Sequence, residues 1–167
     1  LACLFAARLS ASGATPLIWG TWKEGLQALQ SEGVRNSTSE ALLPNDPLFA
    51  FGANAGAERA FPVQVISHPN ECDGVRYALV LVKSWQTQSS ARQLARCLSL
   101  NGLALTLQNG AGNLETLAQV LGSKRASLGV TTVGATQLGP GRVRQVGAGV
   151  VALSADPILT PLAQRLR

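Results

Sequence analysis

Two largely apolar runs, separated by about one βαβ unit, constrain the fold of this chain more than any other feature. The first covers residues 77–82 (YALVLV) and ends at Lys83, and the second covers residues 103–107 (LALTL) and is followed by Gln108 and Asn109. Such runs are typical of strands buried on both faces, as in a parallel sheet. Ligands of these sheets bind just beyond the carboxyl ends of the strands. The polar residues after both runs are therefore candidates for binding or catalysis.

Helices and strands alternate along the chain, which predicts a doubly wound α/β fold. Helices are predicted over residues 1–11, from Trp22 to Gly33, after Lys83 with Ala91, Leu94, Ala95 and Leu98 on one face, and from an N-cap at Asn113 to Gly122. Strands are predicted over residues 14–19, 77–82, 103–108 and 127–134, with an edge strand over 61–66 and antiparallel β-structure over 135–154. Residues 36–60 are predicted to form loops with short strands.

Composition narrows the class of protein. Hydrophobic residues make up 46% of the chain and charged residues 14%, which indicates a globular domain. No apolar run approaches the ~20 residues that cross a bilayer, so no membrane association is expected. The net charge of +5 is scattered and suits an anionic cofactor or simple solubility better than nucleic acid.

Cysteine and histidine give no sign of a metal or redox centre. Cys3, Cys72 and Cys97 are far apart and form no CxxC pair, which favours free thiols in a reducing compartment and predicts no metal site. The single histidine, His68, lies in a turn and is interpreted as a surface residue rather than part of a catalytic triad.

The residues after each strand are the candidate functional residues. Lys83 is either a solvated loop lysine or a ligand for a phosphate, a ribose hydroxyl or a carbonyl oxygen. Asn109 and Gly110 form either an ordinary turn or a loop whose backbone a ligand approaches closely. After strand 14–19 no acidic residue precedes Glu24. Thr21 and Lys23 in that segment are therefore candidates for a 2′-phosphate, although a loop without function fits equally well.

Four segments together resemble the ketopantoate reductase (2-dehydropantoate 2-reductase) family. They are LFAARL at residues 4–9, LVKSWQT at 81–87, LQNGAGN at 107–113 and GVTTVGA at 129–135, with 142–149 resembling the family's hairpin. The combination of Lys-x-Trp-Gln and Gln/His-Asn-Gly-x-Gly at this separation is specific. The resemblance implies a mostly parallel Rossmann-like sheet with an antiparallel β hairpin near the C-terminal end.

The family resemblance also implies a function and a set of site residues. It implies NADPH-dependent reduction of ketopantoate, a 2-oxo acid, to pantoate, on the cytoplasmic route to pantothenate and coenzyme A. Lys83 and Asn109 would contact the nicotinamide ribose and the substrate, and are the candidate catalytic residues. The implied cofactor-binding residues are Ala2, Thr21, Lys23, Lys83, Asn109, Gly110 and Ala135. Thr21 stands where many members have an arginine for the 2′-phosphate, with Lys23 as a substitute.

The domain prediction follows from the same resemblance. Residues 1–154 are expected to form an NADP-binding domain without its first strand and Gly-rich loop, and 155–167 to begin the connection to a helical C-terminal domain. The sequence contains no methionine and its first residues already have helical spacing, so truncation at both ends is expected. The family's catalytic lysine and carboxylate would then follow Arg167, and the chain alone is expected to be inactive. A homodimer is one expected assembly.

Two other functions remain open. The chain fits the cofactor domain of another NAD(P)-dependent 2-oxo acid reductase, because the substrate is defined largely by the other domain. It also fits a non-catalytic dinucleotide-binding module.

Overall fold

The computed structural model describes residues 1–37, 58–146 and 149–166, and all structural statements concern these residues. The α-helices are α1 (Ala2–Ala11), α2 (Lys23–Glu32), α3 (Thr87–Cys97), α4 (Asn113–Leu121) and α5 (Thr160–Leu166). The strands are β1 (Leu17–Ile18), β2 (Val34–Ser37), β3 (Glu58–Phe61), β4 (Gln64–Val65), β5 (Val75–Val80), β6 (Leu98–Thr106), β7 (Ala126–Thr131), β8 (Gly134–Gly139), β9 (Arg142–Val146) and β10 (Val151–Leu153). The α/β class is confirmed.

The chain divides into two compact units. The first comprises residues 1–67, 132–151 and 160–167, and the second comprises residues 68–131 and 152–159. The prediction of one domain over 1–154 followed by a connection stays a prediction. No described helix is long and apolar enough to cross a membrane.

In the second unit, β5, β6 and β7 are parallel neighbours in a sheet of order β10-β7-β6-β5. The apolar runs that predicted strands 77–82 and 103–108 thus form adjacent parallel strands, β5 and β6. Helices α3 and α4 cover this sheet with an apolar cluster that includes Val80, Ala91, Ala104 and Leu117. Burial of these side chains removes apolar surface from water and holds the helices on the strands.

In the first unit, the larger sheet has the order β3-β2-β9-β8. Strands β8 and β9 form the predicted antiparallel hairpin, and β2 runs parallel to β9. The unit's core joins α1 to this sheet through a cluster that includes Leu4, Ala7, Val34 and Val143. The short strands β1 and β4 pair in parallel as a separate two-stranded sheet.

Several predicted element boundaries are wrong. The segment 61–66 is split by Pro62 between β3 and β4, since proline cannot donate to a strand ladder. The segment 127–134 is divided between β7 and β8, and only two residues of 14–19 are paired. Most of the segment 36–60 lies outside the described residues.

The predicted faces of α3 and α4 also need correction. Ala95 is exposed and Leu98 is the first residue of β6, whereas the polar residues Thr87 and Ser90 are buried on α3. The N-cap of α4 is Gly112, with φ of +89°, and not Asn113. Asn113 instead begins the helix and turns its buried amide back towards the preceding loop.

Candidate functional site

Lys83 and Asn109 follow neighbouring strand ends at one edge of the second unit's sheet. Val80 of β5 pairs in register with Thr106 of β6. Lys83 and Asn109 each lie three residues beyond this pair, and both are exposed. Because β5 and β6 are parallel, both residues leave the sheet at its carboxyl edge, where ligands of such sheets bind.

A hydrogen bond joins the two strand ends directly. The side-chain Nε2 of Gln108 donates to the carbonyl oxygen of Val82 at 2.7 Å. Val82 precedes Lys83, and Gln108 precedes Asn109. The backbone next to one candidate residue is thus fixed to the backbone next to the other.

Behind this contact lies a set of polar side chains, here called the Gln108 network, that comprises Thr87, Thr106, Gln108 and Asn113. Thr106 Oγ1 lies 2.9 Å from Gln108 Oε1, and Gln108 Nε2 donates to Thr87 Oγ1 at 2.9 Å. Thr87 Oγ1 donates to Asn113 Oδ1 at 3.1 Å. Thr87 and Thr106 are 0% exposed and Asn113 4%, so these bonds are shielded from water.

The loop from Asn109 to Gly112 is held by hydrogen bonds from Asn113, and its outer surface is open. Asn113 Nδ2 donates to the carbonyl oxygens of Asn109 at 3.2 Å and Gly110 at 3.4 Å. Gly110 and Gly112 adopt φ of +94° and +89°, which glycine tolerates best. A Cβ built on either glycine meets no atom within 4 Å, so a ligand can approach the backbone there.

Lys83 begins a tight turn that exposes a large aromatic side chain. Gln86 N–H donates to Lys83 O at 2.8 Å, and Lys83 N–H donates to Gln86 Oε1 at 3.2 Å. Trp85, inside this turn, is 80% exposed. The turn therefore presents an ammonium group and an indole together.

The other predicted cofactor-binding residues lie in the first unit. Thr21 and Lys23 are exposed after β1, with Lys23 the first residue of α2. Ala2, exposed, is the first residue of α1. Ala135 is half-buried on β8, opposite Gln145, and packs against the core cluster that includes α1. The structure thus groups Lys83, Asn109 and Gly110 in the second unit, separately from these four.

Two cysteine thiols among the described residues have raised pKa values. Burial, with the neighbouring Cys72 adding to it, raises the pKa of Cys97 to about 12. Burial also raises the pKa of Cys3. Both groups are therefore neutral thiols at pH 7. No group of three or more His, Cys, Asp and Glu side chains that suits a metal ion occurs among the described residues.

Sequence reasoning named Gln108 and Thr87 only as parts of matched motifs and assigned them no role. The signal for Gln108 was its place directly after an apolar strand. Thr87 gave no signal of its own, because a threonine at the start of a helix is commonplace. Its burial against Gln108 depends on the packing of α3 on the sheet.

Comparison with known proteins assigns the family. Residues 1–157 match the family model described as ketopantoate reductase PanE/ApbA. The chain belongs to this family of oxidoreductases. A curated relative, the 2-dehydropantoate 2-reductase of Halobacterium salinarum, is 37% identical over 94 residues, which cover 56% of this chain and 31% of the relative.

Solved structures of similar fold include two named for the same activity. The 2-dehydropantoate 2-reductase from Geobacter metallireducens GS-15 superposes with a TM-score of 0.75 at 23% identity, covering 98% of this chain and 50% of that one. The PanE/ApbA family ketopantoate reductase from Ralstonia eutropha JMP134 gives 0.71 at 26% identity, covering 88% and 44%.

A third similar structure carries a different name. D-mandelate dehydrogenase, solved with NADH and anilino(oxo)acetate, gives a TM-score of 0.76 at 20% identity and covers 98% of this chain and 49% of that one. At this identity the likeness shows the fold alone. The Rossmann-like α/β architecture is confirmed, and the chain spans 31% to 50% of the length of these relatives.

Proposed function

We propose that this chain is the cofactor-binding part of a reductase that uses NADPH to convert 2-dehydropantoate to pantoate. The observation that carries the proposal is the position of Lys83 and Asn109, exposed three residues beyond the paired residues Val80 and Thr106. An ammonium group and a carboxamide at one sheet edge are suitable donors for a ribose hydroxyl, a nicotinamide amide or a 2-oxo acid. Membership of the ketopantoate reductase family supports this substrate class.

The site's chemistry fits a dinucleotide. The open backbone at Gly110 and Gly112 accommodates a close ligand, and the exposed Lys83 carries the positive charge that a phosphorylated cofactor requires. D-mandelate dehydrogenase, which has the same fold, was solved with NADH, and this supports a nicotinamide cofactor here. Exposed Thr21 and Lys23 after β1, with no acidic residue before Glu24, favour the 2′-phosphate of NADPH over NADH.

In this proposal the chain's residues orient the reactants. A nicotinamide held there would supply the hydride that reduces the carbonyl carbon of the 2-oxo acid. Asn109 donates a hydrogen bond to the carbonyl oxygen as it gains negative charge, and Lys83 holds the ribose side of the cofactor. Reduction to the alcohol also requires a proton, for which the family resemblance implies a lysine outside the residues described. Orientation of two reactants in this way lowers barriers by up to about 7–11 kcal/mol.

The test is turnover by the full-length gene product. We expect oxidation of NADPH with 2-dehydropantoate to give pantoate, with kcat/KM higher for NADPH than for NADH. The 167-residue chain alone is expected to give none. Failure of the full-length product to oxidise NADPH with 2-dehydropantoate would contradict the proposed substrate.

A related substrate is the second candidate, because a D-mandelate dehydrogenase shares this fold. Turnover of benzoylformate, the 2-oxo acid that corresponds to mandelate, without turnover of 2-dehydropantoate would identify that alternative. Cofactor binding without turnover of any 2-oxo acid would indicate a non-catalytic dinucleotide-binding module.

A further inference from the structure

We propose that Gln108 is a positioning residue that fixes Lys83 and Asn109 relative to each other. It does so through a chain of hydrogen bonds in which the donor and acceptor of each bond can be assigned in one way only. The proposal rests on the function proposed above for Lys83 and Asn109. The side-chain amide of Gln108 forms its hydrogen bonds with Thr106, Val82 and Thr87. It acts on a ligand only through its neighbours.

The direction of the chain is set at one end by Val82. A carbonyl oxygen only accepts, so the Gln108 group 2.7 Å from Val82 O must be the NH2 group. Gln108 Oε1 then faces Thr106 Oγ1, which must donate to it. The backbone N–H of Gln108 donates back to Thr106 Oγ1 at 3.2 Å, so this hydroxyl is both donor and acceptor.

The other end is set by the loop carbonyls. Asn109 O and Gly110 O only accept, so the NH2 group of Asn113 must face them and its Oδ1 must face Thr87. Thr87 has a single hydroxyl proton, and Asn113 Oδ1 requires it. Thr87 Oγ1 therefore accepts from Gln108 Nε2, although Gln108 Oε1 also lies within 3.3 Å.

Both ends thus impose the same polarity on Gln108. One of its amide protons is donated to Val82 O, beside Lys83, and the other to Thr87 Oγ1. Thr87 in turn donates to Asn113, which holds the Asn109 loop. A largely buried network that is fully satisfied in one arrangement only is rigid, because every alternative leaves a polar group without its protein partner. The two exposed donors are therefore held by one side chain.

Thr87 is the link that separates the two branches. Loss of its hydroxyl cuts the path from Gln108 to the Asn109 loop but leaves the bond from Gln108 to Val82 intact. Valine has nearly the same shape as threonine without the hydroxyl, and serine keeps the hydroxyl without the methyl group. Thr87→Val and Thr87→Ser are thus a matched pair.

Amide hydrogen exchange tests the positioning role without reference to catalysis. In the full-length gene product, Gln108→Leu is expected to speed exchange about tenfold in both segments 82–88 and 107–114, the factor usual for loss of a buried hydrogen bond. Thr87→Val should speed exchange in 107–114 only, and Thr87→Ser in neither. Gln119→Leu, an exposed glutamine of α4, is the control and should change neither segment.

Kinetics of the full-length gene product test the consequence. We expect Gln108→Leu to lower kcat by up to about 10²-fold, on the scale of a small misplacement of reacting groups. Gln108→His should restore only part of kcat, because its single ring N–H can donate to Val82 O but leaves no second donor for Thr87. A side chain that merely stabilised the fold would leave kcat per folded molecule unchanged.

The outcomes distinguish this proposal from the proposed function. Absence of turnover in the unmodified protein contradicts the proposed function, while the exchange experiment still decides the role of Gln108. Unaltered exchange in folded Gln108→Leu overturns the positioning role. Equal loosening of both segments by Thr87→Val and Thr87→Ser would also overturn it, since packing and not the hydroxyl would then be responsible.

Discussion

At the scale of single residues, the candidate site is a small number of exposed donors on a buried polar support. Lys83 and Asn109 were identified from the sequence because polar residues interrupt an apolar pattern where strands end. Their common edge follows from parallel pairing, which the apolar runs also predicted. The support behind them, Gln108 with Thr87 and Asn113, was not predicted as a network. Thr87 lies 21 residues before Gln108 and 26 residues before Asn113, and it meets them only when α3 packs on β6.

Asn109→Ala is expected to lower turnover of the full-length gene product by about 10²-fold, the usual cost of one lost donor to a developing oxyanion. Steady-state kinetics with 2-dehydropantoate and NADPH measure the effect. Asn101→Ala, on an exposed residue of β6 eight positions earlier, is the control and should leave turnover unchanged. Unaltered kcat and KM in Asn109→Ala would remove Asn109 from the site.

Lys83→Ala is expected to weaken NADPH binding, because the cofactor loses a cation at the carboxyl edge of the sheet. Fluorescence titration of the full-length gene product gives the dissociation constants. Lys124, exposed in the turn before β7 and so at the opposite edge of the parallel strands, is the matched control as Lys124→Ala. Equal affinities in Lys83→Ala and the unmodified protein would argue against a cofactor contact.

At the scale of elements, helices were predicted well and short strands poorly. Helices α1, α2 and α4 lie within a residue or two of their predictions, because each has several turns of apolar spacing and α2 and α4 end at glycine. Strands β1 and β4 have two paired residues each, too few for any alternation to define them. The division between β7 and β8 depends on their partners in two different sheets.

Gly33, which ends α2, provides a prediction at this scale. Its φ is +72° and its ψ −166°, a combination that is essentially restricted to glycine, and a Cβ there would clash with the carbonyl oxygen of Phe61. Gly33→Ala should therefore lower the free energy of unfolding by more than the roughly 1–3 kcal/mol that such backbone strain costs alone. Gly13→Ala is the comparison, because Gly13 also has a positive φ, +82°, but a Cβ built there meets no atom within 4 Å. Urea denaturation of both variants measures the difference, and equal losses would contradict a steric contribution.

At the scale of the whole molecule, the chain divides into two compact units whose segments alternate along the sequence. The interleaving of the units arises because segment 132–151 belongs with the N-terminal residues, and 152–159 with the central ones. No local pattern encodes this exchange. One network of ion pairs also contributes to the free energy of unfolding, and this contribution can be measured.

Glu58 on β3 bridges Arg35 on β2 and Arg142 on β9, at 2.7 Å and 2.8 Å. The hydrogen bond from Arg142, aided by the charges of Arg142 and Arg35 and opposed by partial burial, lowers the pKa of Glu58. A carboxylate with a lowered pKa in the folded state stabilises the protein above its unfolded pKa of about 4.3. That contribution disappears as the pH falls from there through the folded pKa.

Glu58→Gln should therefore lower the free energy of unfolding at pH 7 by about 1 kcal/mol or less, since water still reaches the pair. The difference from the unmodified protein should shrink steadily below about pH 4. Thermal or urea denaturation at several pH values measures this, with Glu115→Gln, an exposed residue of α4, as control. A difference that did not depend on pH would show that the charge of Glu58 is not responsible.

The sequence by itself determined the α/β class, the parallel pairing of the two apolar strands, and the identity of the residues that follow them. These properties are local, because burial requires apolar runs and loops at strand ends are where polar residues and glycine are tolerated. Only the tertiary structure decided how the remaining strands are divided between sheets, and that Thr87, Thr106, Gln108 and Asn113 form one network. The reason is that a buried hydrogen bond depends on atoms brought within about 3 Å by packing, and residues distant in the chain leave no periodic sign of that contact.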